Sequence, residues 1–434
     1  MAGLATEGWC SVSGRPTNWA GNVVYRADQV HRPRTLDELQ ELVAVSRAVR
    51  ALGSGHSFNR IADSAGVLVS TADLPPVMDL DPAQATVTVS GGIRYGELAR
   101  RLHAEGHALH NLASLPHISI AGACATGTHG SGNANGNLAT AVAAIEMVTA
   151  DGEVTTLRRD ADADHFRAAV VGLGGFGIVT RMTLDIIPAF SVRQYVYEDL
   201  PAEQLSAHFE EIFASAYSVS VFTRWHGPRH HMLWLKQRVG EPEPPAPEPR
   251  WMGARLAGQP RHPIPGEPAG YATPQLGVPG PWHERLPHFR LDFTPSSGAE
   301  IQTEYLLPRQ AAGAALAAMA GLGERLAPIL QIAEIRTVAA DDLWMSPSYQ
   351  RDTVALHFTW INDFAAVTPV VTAMEERLVP LGARPHWGKL FTMPAAAVTA
   401  QYERSAGFRA LLSQDDPAGK FRNDFINHYF PATP

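Results

Sequence analysis

From Asn111 to Gly136 the chain reads NLASLPHISIAGACATGTHGSGNANG, more than twenty residues in which small side chains and hydroxyls follow one another. A segment of this composition has too little bulk to fill a hydrophobic core. It makes physical sense as backbone wrapped closely around a flat, extended ligand, with Ser119, Thr126, Thr128 and His129 offering donors to phosphates, hydroxyls or ring edges. A glycine-rich disordered linker is the alternative, and the interleaved Leu115, Ile118, Ile120 and Cys124 argue against it.

A second, shorter run points the same way. Val49 to Leu52 reads as a strand that ends on Gly53-Ser54-Gly55-His56-Ser57. Glycines at a strand end let backbone N–H groups converge on an anion without interference from Cβ atoms, which suits a pyrophosphate. His56 in such a turn is either a loop histidine or a functional one, and this segment alone leaves the choice open. A third cluster is a decoy: Gly172, Gly174 and Gly177 satisfy G-x-G-x-x-G, yet Ile178 to Leu184 alternates with a period of two. These glycines open a strand rather than a helix, so no nicotinamide dinucleotide is expected on them.

Around these runs the first 190 residues alternate helix-like and strand-like segments, an α/β pattern. Thr35 with Glu38 forms a capping-box signal ahead of Leu36, Leu39, Leu42 and Val43 on one helical face. Thr86 to Val89 reads as a strand, and Tyr95 to Ala104 as a helix closed by Gly106. Between Gly240 and Pro281 a dozen prolines exclude regular structure and predict a long surface excursion, either a lid or a solvated connection. Gln302 to Pro308, Ile332 to Val338 and Val354 to Trp360 then read as strands, with an alanine-rich helix over Gln310 to Leu326. Asp416 to Phe421 reads as a turn in a tail that packs back on the first domain.

Polar residues recur at a spacing of two on these later strands: Gln302 with Glu304, Glu334 with Arg336, His357 with Thr359. Each pair points to one face. For a single pair an outer, solvated sheet face explains the pattern. Three pairs beside ligand-wrapping loops favour a pocket that binds hydroxyls, because inward charges need partners.

The remaining function classes are bounded by composition. A net charge of −8 lacks the basic excess of a nucleic-acid surface. Two cysteines, Cys10 and Cys124, are too few for a disulfide framework, Met1 to Asn22 lacks a secretory pattern, and no run reaches the ~18 apolar residues of a membrane helix. A cytoplasmic monomer without nucleic-acid or membrane partners is expected. Asp341-Asp342 and Asp415-Asp416 lack companion ligands, so no metal site is expected.

The glycine runs, with Asn18-Trp19-Ala20-Gly21-Asn22 ahead of them, resemble the FAD domain of the vanillyl-alcohol oxidase superfamily, and more narrowly the alditol oxidases. The similarity continues through Gly172–Thr180, Pro279–Arg285, Glu334-Ile335-Arg336, His357–Trp360, His386-Trp387-Gly388-Lys389 and Asp416–Phe421. The resemblance implies an α+β fold: a PCMH-type FAD-binding domain of two α/β subdomains over residues 1–188, and a substrate-binding cap with an antiparallel sheet over 189–395. The proline-rich excursion 240–281 belongs to the cap, and residues 396–434 return to the FAD domain.

It also implies FAD held by Ala51, Leu52, Gly53, Ser54, Gly55, His56, Ser57, Ser114, Ser119, Gly122, Thr126, Gly127, Thr128, His129, Ile178, Val179 and His386, with His56 covalently joined to the flavin. Leu115 stands where some relatives carry a second, cysteinyl link, so a single bond is expected, and Ala113 is placed beside the flavin where it tunes oxygen access. Carried over from the family, Ser114, Gln302, Glu334, Arg336, His357, Thr359 and Lys389 form the substrate site. Arg336 and Lys389 are expected to hold a terminal hydroxyl and stabilise developing negative charge, while His357 with Gln302 takes its proton. Ser114, Glu334 and Thr359 then bind hydroxyls further along. The implied reaction is oxidation of a polyol such as xylitol or sorbitol by O2, giving an aldose and hydrogen peroxide. An aldonolactone oxidase or dehydrogenase of the same superfamily and a flavin- or sugar-binding protein without turnover are the competing readings.

Overall fold

A computed structural model of the chain describes residues 11–12, 14–240, 246–292 and 300–432. Cys10 and part of the proline-rich excursion lie outside them.

The two larger sheets of the N-terminal half are of opposite character. Strands β1 (Val30–His31), β2 (Val49–Ala51) and β3 (Val67–Val69) form a parallel sheet in the order β1-β3-β2. Helix α1 (Leu36–Val45) covers it with Leu39 and Val43, both fully buried against Val49, Val69 and Phe421. Thr35 Oγ1 accepts from Glu38 N at 3.1 Å, but the Glu38 carboxylate reaches Arg34 N rather than Thr35 N, so the capping box is displaced by one residue. The C-terminal tail closes the other end: Lys420 Nζ donates to Val43 O and Ala44 O at 2.7 and 3.1 Å, a cation on the orphan carbonyls of α1.

The second sheet joins β4 (Met78–Asp81), β5 (Thr86–Ser90), β6 (Val142–Val148), β7 (Val154–Arg158) and β8 (Ile178–Asp185) in the order β7-β6-β8-β5-β4. It is antiparallel throughout, so the α/β alternation of the sequence yields a parallel arrangement only in the small first sheet. The β6–β7 hairpin turns at Asp151-Gly152, where Gly152 takes φ +90°. Helix α2 (Tyr95–Ala104) follows the Gly91-Gly92 turn, α3 (Ile120–Ala125) follows Ser119, and α4 (Ala163–Val170) packs on β6 and β7.

The C-terminal half is built on one large antiparallel sheet. Its strands are β9 (Ser191–Pro201), β10 (Ser218–Thr223), β11 (Arg229–Val239), β12 (Arg250–Trp251), β13 (Ala254–Leu256), β14 (Gly280–Pro281), β15 (Glu300–Pro308), β16 (Leu330–Val338), β17 (Thr353–Ile361) and β18 (Arg384–Pro385). The order is β12-β13-β9-β11-β10-β16-β17-β15-β18, with β14 also on β9. One face, including Tyr305, Ile335, Leu356 and Phe358, is buried under α5 (Ala312–Ala320) and α6 (Phe364–Leu378). The predicted long helix over 310–326 is interrupted at Gly321-Leu322, and Gly323 passes so close to Trp225 O that an added Cβ would sit 2.3 Å away.

Contrary to the expectation from its prolines, the described part of the excursion carries regular structure. β12 and β13 form a hairpin through Met252 and Gly253, both at positive φ, and β14 pairs with Ser191 and Val192. These are short pieces near the sheet margin, where few ladder N–H groups are required and proline is tolerated.

Half of the small-residue run joins the two halves of the molecule. Gly132 N donates to Thr337 O and Ala339 N to Asn135 O, both at 2.9 Å. Asn135 Nδ2 donates to Tyr217 O at 3.1 Å, and Thr337 Oγ1 to Asn133 Oδ1 at 2.8 Å. No helix among the described residues is long and apolar enough to cross a membrane.

Candidate active site

A cavity of ≈ 810 Å³ runs from the turn after β2 to the uncovered face of the large sheet. Its first wall is backbone. Ser54 N donates to Ser119 Oγ at 3.3 Å and Ser119 N to Ser54 Oγ at 3.2 Å, a reciprocal tie that sets the two glycine runs side by side. An added Cβ on Gly53 would lie 2.3 Å from Ser119 Oγ, and Gly55 takes φ +70°. A side chain at the first position would displace the Ser119 hydroxyl, and glycine is favoured at the second by conformation.

His56 is half-buried on this wall and stacks on Trp19, with ring centroids 5.0 Å apart. Trp19 N is itself anchored to Gly55 O at 2.8 Å. Burial, with His117 adding to it, pushes the imidazole down to about 3, so it is neutral at ordinary pH. Its Nδ1 has no hydrogen-bond partner among the described residues. A neutral imidazole with a free Nδ1, beside a cradle that a methyl group would crowd, is a fitting place for a planar dinucleotide cofactor.

Ala51 to Ser57, Ser114, Ser119, Gly122, Thr126, Thr128, His129, Val179 and His386 all line the cavity. Two expected cofactor residues do not. The Ile178 side chain turns into the core with Val49, Val69 and Val148, because alternation along β8 gives the cavity to Val179 instead. Gly127 is a turn residue at φ +66°, backed by Pro347. His129 lines the wall, yet its Nδ1 faces Gly130 O at 2.8 Å and its Nε2 lies 3.3 Å from Glu304 Oε1.

The opposite wall is charged. Register places Glu304 opposite His357, His357 opposite Glu334, and Glu334 opposite Phe222, one row across four strands. Glu304 is the hub of this row. Its Oε1 accepts from Arg336 Nη2 at 2.5 Å, and its Oε2 lies 3.6 Å from His357 Nδ1. Burial opposes ionisation of Glu304, but Arg336 and His129 hold its carboxyl well below the usual range. Arg336 also approaches Glu334 Oε1 at 3.7 Å and donates to Ser114 Oγ at 3.3 Å, and the two carboxylates outweigh its burial to keep it charged.

His357 Nε2 lies 3.2 Å from Thr359 Oγ1. Burial, then Lys389, pushes its imidazole down to about 4. Lys389 donates to Gln302 Oε1, and Gln302 Nε2 donates to Glu300 Oε1 at 2.5 Å. Burial pushes Lys389 down to about 8, with Glu304 pulling the other way. Gln302 therefore orients the lysine, and its amide is no proton acceptor. The lysine segment is tied to the cofactor side by Asn59, whose Nδ2 donates to Trp387 O and Lys389 O at 2.8 and 2.7 Å.

Several residues without an assigned role in the sequence belong to the site. Glu304 was visible only as the companion of Gln302. Lys236 and His288 lie behind Glu334, and a lysine directly after the apolar run Leu233-Trp234-Leu235 was the available signal for the first. Arg94 lines the cavity, and its guanidinium makes no hydrogen bond or ion pair among the described residues. The proline-rich excursion brings His262, Ile264, Glu267 and Tyr271 to the cavity wall.

Comparison with known proteins bears on this geometry. A family profile described as "FAD binding domain" matches residues 27–158, and one described as "D-arabinono-1,4-lactone oxidase" matches 299–429. An alditol oxidase from a Streptomyces species is 53% identical, with 94% of this chain and 97% of that protein covered. An L-gulono-1,4-lactone dehydrogenase from Mycobacterium tuberculosis is 29% identical over the same shares of the two chains. Among solved structures, cholesterol oxidase from B. sterolicum superposes with a TM-score of 0.77 at 14% identity, covering 99% of this chain and 100% of that one. That likeness is one of fold.

Proposed function

The chain belongs to the alditol oxidases, FAD-dependent oxidoreductases acting on CH–OH groups with oxygen as acceptor, and on that premise we propose that it converts the terminal –CH2OH of a linear polyol of the xylitol or sorbitol type to the aldehyde of an aldose, with release of hydrogen peroxide. The single observation that carries this reading is the buried row Glu304, His357, Glu334 with Arg336, and half-buried Lys389 beside it, facing the glycine cradle across one cavity. Such a row suits a chain of neutral hydroxyls, each able to donate and accept, in a site where charge-assisted bonds fix the register. The alcohol gives up a proton and a hydride equivalent, and O2 takes up two electrons and two protons. When bound, FAD supplies the acceptor for that hydride and the route of the electrons to oxygen.

On the cofactor side, the N–H groups of residues 53–57, the hydroxyls of Ser119 and Thr126 and the guanidinium of Arg94 would hold the dinucleotide. His56 is the residue we assign to a covalent bond with FAD, supported by its neutral ring and unpartnered Nδ1. On the substrate side, Arg336 and Lys389 hold the reacting hydroxyl and stabilise the negative charge that develops on its oxygen. His357 accepts the hydroxyl proton, being neutral above about pH 4. Ser114, Glu334 and Thr359 bind the hydroxyls beyond. In this division of labour residues 1–188 bind FAD, 189–395 bind substrate and 396–434 brace the first domain. The low cysteine content supports residence in the cytoplasm, and we take the single chain as the working unit.

A lactone-oxidising reading has one observation in its favour, the profile matched over residues 299–429. Peroxide release decides between them: xylitol and sorbitol should outperform aldonolactones, and the reverse order would transfer the assignment to lactones. Anaerobic xylitol should bleach the flavin and air restore it, whereas a mere binding protein would stay oxidised. For the covalent bond, yellow colour should remain with acid-precipitated protein and be lost from His56→Ala, and colour released into the supernatant of the natural chain would refute it.

A further inference from the structure

Glu334 is held from behind as well as from the cavity. Its Oε1 accepts from His288 Nε2 at 2.7 Å, and His288 Nδ1 lies 3.1 Å from Lys236 Nζ. Lys236 Nζ also donates to Leu286 O and Pro287 O at 2.5 and 3.1 Å, so all three ammonium hydrogens have acceptors. Lys236, His288 and Glu334 are 1%, 5% and 4% exposed, which leaves water little part in satisfying them.

This arrangement fixes both the tautomer and the angle of the imidazole. An ammonium group has no lone pair, so Nδ1 facing it must be the bare nitrogen and Nε2 must carry the hydrogen given to Glu334. Phe222 and Trp234 meet the ring edge-on, at centroid distances of 5.4 and 5.2 Å, and prevent it from turning. The backbone of the same segment reaches a second site residue: His288 N and Phe289 N both donate to Ser114 O, at 3.0 and 3.2 Å. His288 thus touches Glu334 on the sheet and Ser114 on the cofactor side. The charges of Lys236, Glu334, Arg336 and Glu304 alternate in sign along this line, so the line is neutral as a whole, as low-dielectric burial demands.

We infer that Lys236 and His288 are positioning residues that keep Glu334 ionised, in one rotamer and in fixed relation to Ser114, so that polyol hydroxyls meet a preorganised acceptor. The inference rests on the reading of Glu334 as a polyol-binding group. The support is of the kind that outer partners give to metal-ligating side chains: the group in contact keeps its chemistry, and the one behind it sets orientation and basicity. The groups facing Glu334 are Arg336 from its own strand, His357 from β17, His288 with Lys236 behind it, and Lys389 across the cavity.

The test uses the FAD-loaded protein mixed anaerobically with xylitol, where the rate of flavin bleaching against xylitol concentration gives a dissociation constant and a limiting rate. Lys236→Met and His288→Phe should each raise the dissociation constant about tenfold, the loss expected for one charge-assisted hydrogen bond, and change the limiting rate far less. His288→Gln keeps a donor for Glu334 and should recover most of the affinity. Glu334→Gln should weaken binding by itself, and His288→Phe added to it should have little further effect. Unchanged affinity in Lys236→Met and His288→Phe, or effects that simply add to Glu334→Gln, would overturn the inference. So would loss of flavin from all three Lys236 and His288 variants, since the pair would then be a folding element. If Glu334→Gln leaves affinity unchanged, it is the polyol-binding reading of Glu334 that fails, a separate result.

Discussion

The two walls of the cavity work by opposite means. The cradle around Gly53, Ser54 and Ser119 carries little charge, and its capacity comes from atoms that are missing, since a single methyl group at Gly53 would meet Ser119 Oγ at 2.3 Å. The sheet wall carries Glu304, Glu334, Arg336 and His357 in one network of ion pairs, with Lys389 beside them on a branch through Gln302 to Glu300. One wall recognises by shape and backbone, the other by compensated charge. The cradle should therefore fail when atoms are added to it, and the sheet when atoms are removed.

The largest expected effect lies on the sheet. Arg336→Met takes away the cation between Glu304 and Glu334 and the group assigned to the developing negative charge. The limiting rate of anaerobic flavin reduction should fall by about a thousandfold, within the range seen when one preorganised stabiliser is lost. The flavin content of the purified protein should stay near that of the natural chain, and its loss would mean that the walls are not separable. Gly53→Ala sharpens the contrast from the other side. The fraction of chains carrying flavin should drop about tenfold, while the molecules that retain it reduce at a nearly normal rate. A normal flavin content in that variant would show that the cradle yields to a methyl group.

The sequence made the cradle legible because lack of bulk is a compositional signal that survives without coordinates. It overreached at Gly132 to Asn135, where small and amide residues serve a protein surface, the clamp onto Thr337 and Ala339, instead of a ligand. Composition does not distinguish those two uses. On the sheet, the spacing of two brought Glu334 with Arg336 and His357 with Thr359 to one face, and burial of that face under the cofactor half removes the solvated alternative. Lys236 and His288 could not be paired by any local pattern, since they stand 52 residues apart and meet only after the proline-rich excursion has folded back. Ile178 illustrates a finer limit: the glycines before it mark the loop, but only the phase of β8 decides that Val179 faces the cavity.

The smallest effect concerns pH and separates the reacting end of the substrate from the rest. Lys389 is a base whose burial lowers its proton affinity to about 8, so its charge is present below that pH and is lost as pH rises through it. His357, lowered to about 4, is neutral and able to accept a proton throughout the range above. The limiting rate of flavin reduction should then be level between about pH 5 and 7 and be about tenfold lower at pH 9, where most Lys389 is uncharged. Lys236, pushed by burial to about 7, reaches the substrate only through His288 and Glu334. Its deprotonation should weaken xylitol binding from about pH 7 upward and leave the limiting rate alone. Lys389→Gln should abolish the bend in the rate, and Lys236→Met the bend in affinity. If either substitution removed both bends, the charges behind Glu334 and those at the reacting hydroxyl would be one titrating unit rather than two.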